Sequence, residues 1–333
     1  MKKFLLIPVL FFSSLLAFAR DFNFTLEPTA GLRYGHIGEY VILIDSPYDK
    51  DILSYLEWDI QSDILCGLKA DLNWKYFSIE TSIKSSLPKT SGQMQDSDWM
   101  NITIPNLPDK FLYKTHYTSH NNEIDNHFNA NAALNFKVPV PDPFGFSFFG
   151  KIEYDSIKMS GYKGSGWHGS TKIYKEGFII YPYYLDGTPE SWNSSYPVIS
   201  YTLESIFTWL GTTISYNFTP AMKLNLSGAV SIYTYATGLD NHFSSESTSV
   251  DYLDLMNGFF SSFYGNLNFK YVLPSAGTIS ISSSVFYQSL ITGPDYQKAS
   301  SQKYFYDSDK STVVMGGSDS FIFELSVGYC FSF

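Results

Sequence analysis

Residues 321–333, FIFELSVGYCFSF, decide the fold. Phe321, Phe323, Leu325, Val327, Tyr329, Phe331 and Phe333 recur at every second position, with Glu324, Ser326, Gly328, Cys330 and Ser332 between them. A period of two is the mark of a β-strand with one apolar and one polar face. The pattern repeats upstream. Met222, Leu224, Leu226, Val230 and Ile232 alternate with Lys223, Asn225, Ser227 and Ser231. Ile279 and Ile281 oppose Ser280 and Ser282, and Leu68, Ala70, Leu72 and Trp74 oppose Lys69, Asp71 and Asn73.

Such strands build either a soluble sandwich, apolar face inward, or a membrane barrel, apolar face outward. Two features favour the barrel. Aromatic residues make up 18% of the chain and cluster near strand ends, as interfacial girdles require. The polar faces carry Lys69, Asp71, Glu80, Lys84, Glu153, Glu204 and Glu324, which suits a hydrated lumen. Hydrocarbon forbids an open sheet edge, so the sheet is expected to close on itself.

Composition excludes several other classes. Charged residues are only 16% of the 333, against roughly 25% in soluble domains. Two cysteines exclude a disulfide-stapled scaffold. A net charge of -10 excludes a nucleic-acid partner. Beyond the N-terminus no apolar run reaches the length of a membrane helix. The N-terminus itself reads as an export signal. Lys2 and Lys3 precede an apolar stretch from Phe4 to Leu16, and Ala17-Phe18-Ala19 offers a small-x-small cleavage site. Residues 1–19 are therefore expected to be removed, leaving 20–333 as one unit in the outer membrane.

The connections come in two lengths. Short ones near 73–76, 138–145, 217–222 and 273–277 read as periplasmic turns; Pro139, Pro141 and Pro143 bar strand continuation in the second. Long polar ones near 45–51, 87–119, 163–195, 239–251 and 292–317 read as outer loops. They separate ten antiparallel strands, near 22–43, 52–74, 76–88, 120–138, 145–163, 196–216, 221–238, 252–272, 277–291 and 318–333. The expected fold is thus all-β, a ten-stranded antiparallel transmembrane β-barrel with long outer loops and short periplasmic turns.

Two acidic groupings stand where strands become outer loops: Asp96-Ser97-Asp98-Trp99-Met100 and Asp240-Asn241-His242. Residues i and i+2 of a strand share a face. If both faces point inward, three carboxylates and one imidazole meet above the lumen. Taken singly, a D-x-D is also a solvated acidic patch or part of a calcium site, and a D-x-H is also a surface pair.

Taken together and in order, these residues resemble the omptins, outer-membrane endopeptidases of ten-stranded barrel fold. Gly31-x3-Gly35-x3-Glu39 looks like the first strand of that family. Ser54-x-Leu56-x-Trp58 followed by Leu72-Asn73-Trp74 is similar to the second, and Asp96-x-Asp98-Trp99-Met100 and Asp240-x-His242 match the two acidic motifs. Ser119-His120 and Tyr201-x5-Phe207 agree more weakly. The resemblance implies an Asp240–His242 dyad facing an Asp96–Asp98 couple across a water that attacks the peptide bond, with no cofactor and no metal. A neutral imidazole can take a proton from water, and crowded carboxylates raise one another's pKa and that of His242. No nucleophilic Ser or Cys is assigned. His116 and His120, four apart in a loop, lack further ligands for zinc, and His36, His127 and His168 read as polar strand or loop residues.

The resemblance also implies that Glu39 pairs with a substrate Arg or Lys, so the expected partners are peptides or proteins with basic residues. The family's companion acid, two residues before the D-x-H aspartate, is here Gly238. One acid in place of two implies weaker or broader selection. In the family's lipopolysaccharide-binding cluster, Tyr154 and Lys158 stand near the Tyr and Arg, but Ser156 replaces the Glu; lipopolysaccharide dependence is not carried over. The active site is expected to face the exterior of the cell. Two rivals remain. Aromatic loops such as 179–192 suit a non-enzymatic adhesin or receptor. A porin is the other, but ten strands leave a narrow lumen filled by side chains.

Overall fold

The computed structural model describes residues 22–43, 51–102, 111–169, 173–175, 178–180, 187–274, 277–299, 301–302, 306–307 and 314–333. The expected export signal, 1–19, and residues 45–50 of the loop expected near 45–51 lie outside them. Ten strands form a closed ring. They are β1 (Phe22–Leu43), β2 (Asp51–Trp74), β3 (Phe77–Ser86, resuming as Lys89–Ile102), β4 (Phe111–Val138) and β5 (Phe144–Gly169). The ring continues through β6 (Ile199–Thr219), β7 (Met222–Ser245), β8 (Thr248–Phe259, resuming as Ser262–Leu273), β9 (Gly277–Ala299) and β10 (Val314–Ser332). Each strand pairs antiparallel with its neighbours, and β10 pairs back onto β1 from Thr25↔Ser332 to Leu43↔Val314. Closure leaves no strand of the ring with an unpaired edge, which is the condition hydrocarbon imposes.

The alternation divides as expected over the lower part of the barrel. Phe321, Leu325, Val327 and Phe331 face outward. So do Ile206, Leu210 and Ile214 on β6 and Ile279, Ile281 and Val285 on β9. Aromatic residues ring this belt at both levels: Trp74, Phe136, Phe144 and Tyr216 below, Tyr34, Phe128, Phe259 and Phe321 above. Glu204 is the exception among the polar positions expected in the lumen. It is exposed on the outer wall, where the Tyr154 hydroxyl donates to it at 2.8 Å, and the pair marks the upper edge of the belt. Leu210, at mid-belt and 55% exposed, offers a direct check. Leu210→Arg should cost about 2–4 kcal/mol in reversible urea unfolding from lipid vesicles; an unchanged midpoint would remove the belt from the bilayer.

The strand ends differ from expectation. β3 runs on to Ile102, β4 starts at Phe111, β7 reaches Ser245 and β9 reaches Ala299, so much of the sequence read as outer loop is strand. Above the belt both faces of a strand meet water or protein, so the lipid-against-lumen contrast that produces alternation is gone. A hairpin, Ile173–Lys175 with Phe178–Ile180, and the strand Gly187–Trp192 on β5 occupy part of the segment read as an aromatic loop.

Three layers fill the barrel. The lowest is a polar lumen crossed by Lys69–Glu80 at 2.7 Å and Lys151–Glu153 at 2.6 Å. Above it, fully buried His127 lies 2.6 Å from Asp63 and 3.2 Å from Asp155, with Arg33 2.6 Å from its other edge. His127, read from sequence as an ordinary polar residue, is thus the centre of an ionic crossbeam. Higher still, Ile37, Ile60, Met94, Ile157, Leu203 and Met256 belong to one apolar cluster that spans the ring. Cys66 and Cys330 are both free, Cys66 exposed and Cys330 buried.

Candidate active site

The apolar cluster is the floor of a cleft lying above the membrane belt. On β6, Tyr201 is three residues above Glu204 and pairs with Asp240, while Ile199 pairs with His242. At about 3.3 Å per residue and a tilt near 40°, the dyad stands roughly 7–12 Å above the belt.

β7 carries Gly238, Asp240 and His242 on one face, because successive alternate residues share a side. The His242 Nε2 lies 2.5 Å from Asp240 Oδ2. Asp240 is buried, whereas the His242 ring is nearly half exposed and meets Tyr252 edge-on, ring centres 5.4 Å apart. Across the opening, β3 carries Met94, Asp96 and Asp98. Met94 belongs to the apolar floor, and Asp96 and Asp98 follow it upward on the same face. Leu56 and Ser54 of β2 pair with them on one side, Thr118 and His116 of β4 on the other. A register shift follows Asp98, the kind of bulge that re-aims side chains beside functional clefts. His116 Nδ1 lies 3.9 Å from Asp98 Oδ2. Sequence placed His116 in a loop; on β4 it reaches the Asp couple, and its register is the signal that was missing. The Trp99 and Met100 side chains lie outside the described residues.

The four expected residues therefore converge from opposite walls, and their ionisation is linked. Burial drives the Asp96 carboxyl up to about 7; the charges of Asp98 and Asp240 add to this, while His242 and the Ser54 hydroxyl oppose it. The ring of His242 is disfavoured as a cation by its surroundings, but Asp240 outweighs that by charge and hydrogen bond. Asp96 and Asp98 act in the same sense, and the imidazole is held up at about 9. A cleft in which a carboxyl and an imidazole titrate in the neutral to alkaline range can move protons on and off a bound water.

Glu39 lies deeper, on β1, opposite Leu56 of β2. It is 3% exposed and accepts a hydrogen bond from Trp58 Nε1 at 3.3 Å. Trp58 in turn stacks on Tyr201, ring centres 6.1 Å apart and 16° from parallel. Burial, then Asp240 and Asp254, push the Glu39 carboxyl well above the ordinary carboxylate range; the Trp58 hydrogen bond works against them. Trp58 and Tyr201 entered the sequence reading as points of resemblance; their part in holding Glu39 needed the register of β1, β2 and β6. Among the described residues no group of three or more His, Cys, Asp or Glu side chains is arranged to hold a metal ion.

A sequence model of the Omptin family matches residues 21–333. Among solved structures, the outer membrane protease OmpT from Escherichia coli superposes with a TM-score of 0.72 at 14% identity, covering 93% of this chain and 97% of that one. The outer membrane protein OprG from Pseudomonas aeruginosa aligns over 93% of this chain and 95% of its own at 10% identity, but with a TM-score of 0.32. No curated protein matches the sequence. The first of these structural likenesses is one of fold: a ten-stranded outer-membrane β-barrel.

Proposed function

The chain belongs to the omptin family of outer-membrane proteases, and on that premise we propose that it is an endopeptidase whose cleft, facing the exterior of the cell, hydrolyses peptide bonds with an activated water. The observation that carries this reading is the convergence of the Asp240–His242 pair with Asp96 and Asp98 above an apolar floor. With Nε2 of His242 engaged by Asp240, Nδ1 is the nitrogen left to a water. That water sits between the imidazole and the Asp96–Asp98 couple. His242 takes its proton as the oxygen attacks the carbonyl carbon. Asp240 holds the ring and stabilises the imidazolium that forms. Asp96 and Asp98 hold that water from the other side, accepting a hydrogen bond from it. The imidazolium then returns its proton to the leaving amine. No residue becomes acylated, and the step needs neither metal nor cofactor.

Glu39 takes the basic side chain beside the scissile bond, and the net charge of -10 draws cationic peptides toward the barrel. The test is cleavage of an Arg-containing peptide by the refolded chain, with products identified by mass. Wild type should cut next to the basic residue and the Asp240→Asn, His242→Ala double variant should not. Equal cutting by the two would end the assignment. Lipopolysaccharide is a separate matter. Tyr154 gives its hydroxyl to Glu204 and Lys158 lies 3.7 Å from Asp125, so both polar groups have partners within the protein and nothing in the pair calls for a lipid.

A further inference from the structure

Gly238 stands where the family resemblance calls for a second acid, and the structure gives a reason for its lack of a side chain. A Cβ at 238 would lie 2.7 Å from the Tyr201 hydroxyl oxygen. The phenol fills the space that a longer residue would need. Tyr201 is fully buried, and its hydroxyl makes no hydrogen bond among the described residues. That oxygen lies amid the carboxylates of Glu39, Asp254 and Asp240.

Asp254 is the direct cross-strand partner of Gly238 on β8. It is 5% exposed. Its carboxylate crosses β9 to lie over Gly316 of β10, in space that exists only because residue 316 has no Cβ. Gly316 is two residues from Ser318, the partner of Glu39. The side chain of Asp254 thus reaches from the third strand away toward the wall that carries Glu39, and its charge is felt there.

Lower in the barrel, Asp63 and Asp155 share His127, Glu324 has Lys84 at 2.5 Å and Glu153 has Lys151. Among the described residues Glu39 and Asp254 form no ion pair. Buried carboxylates without a counter-charge are costly, and a cation seated between Glu39 and Asp254 would relieve both. We propose that Asp254 replaces the missing acid of position 238, so that Glu39 and Asp254, with the Tyr201 hydroxyl between them, form a two-carboxylate pocket for the guanidinium or ammonium of the substrate. A guanidinium presents five donors in a planar fork. Glu39, Asp254, the Tyr201 oxygen and the open Oδ1 of Asp240 supply acceptors on several sides of it. Gly238 lies one alternate residue, about 7 Å along β7, below Asp240, which puts the bound side chain beneath the bond to be cut. This inference rests on the endopeptidase reading only for its purpose; binding of the cation stands apart from it.

The test uses the refolded full chain in a His242→Ala background, which binds without cutting. Dissociation constants are measured for an Arg peptide and for the same peptide with citrulline, the neutral isostere. The Arg peptide should bind more than tenfold tighter, and adding Asp254→Asn should reduce that ratio at least fivefold. Gly316→Ala, whose new methyl would overlap the Asp254 carboxylate and so displace it, should act in the same direction. A ratio unchanged by Asp254→Asn, or no Arg preference to begin with, overturns the pocket. If wild type cleaves neither peptide but the binding ratio still responds, the endopeptidase reading fails and the pocket stands. If wild type cleaves and the ratio ignores Asp254, the reverse holds.

Discussion

His242→Ala should lower kcat/KM on an Arg-containing peptide by roughly 10²–10⁴-fold, the range expected when a positioned general base is lost. In barrier terms this is about 3–5 kcal/mol. The loss should fall mainly on kcat, because the ring is not part of the pocket that holds the basic side chain. Folding should survive: the imidazole is nearly half exposed at the cleft wall, and its removal leaves the apolar floor intact. Circular dichroism and the heat-dependent electrophoretic mobility of the refolded barrel would check that. Asp240→Asn should be comparably severe, and the double variant little worse than His242→Ala alone, since residues that act as one unit are not additive. Activity of His242→Ala within tenfold of wild type would show that another group takes the proton.

Between pH 7 and pH 9, kcat/KM should rise by up to about a hundredfold. The sign follows from the raised pKa. A base held up at about 9 remains protonated at neutral pH, so the competent neutral form grows about tenfold per unit until the pH passes that value. Below about 7 the fall should steepen, because Asp96, pushed up to about 7, takes up a second proton and loses its hold on the water. A cationic peptide seated near the carboxylates weakens the field that holds the imidazolium. The limb in kcat, which reports the bound complex, should therefore lie at lower pH than the limb in kcat/KM. Asp240→Asn should bring the surviving activity's limb down toward the ordinary histidine value near 6.5. A limb already at 6.5 in wild type would mean that the carboxylates do not act on His242.

What could be read from sequence, and what could not, follows from where solvent contrast exists. Inside the belt lipid and lumen sort Leu325 from Ser326 and Ile281 from Ser282, and the strands there were legible to within a few residues. Above it the sorting ends, so Asp96, Asp98, Asp240 and His242 appeared to open loops when they stand within β3 and β7. Their pairing as i and i+2 survived that error, because the period of two holds in any strand. Asp254 was hidden for the same reason. With 239–251 taken as loop, the Ser245–Thr248 hairpin that sets Gly238 opposite Asp254 had no register to be read. His127 shows the other limit: a residue that meets Asp63 of β2, Asp155 of β5 and Arg33 of β1 depends on the closure of the whole ring, which no local pattern contains.

The apolar floor above the ionic crossbeam has one more implication. With the cleft facing the exterior as proposed, this floor separates it from the polar lumen, and fragments and protons released there leave toward the surrounding medium. The chemistry therefore answers to the acidity and salt of the habitat and is deaf to those of the compartment beneath. A cell carrying this protein would see its proteolysis turned up or down by wherever it happens to live, with no signal of its own required.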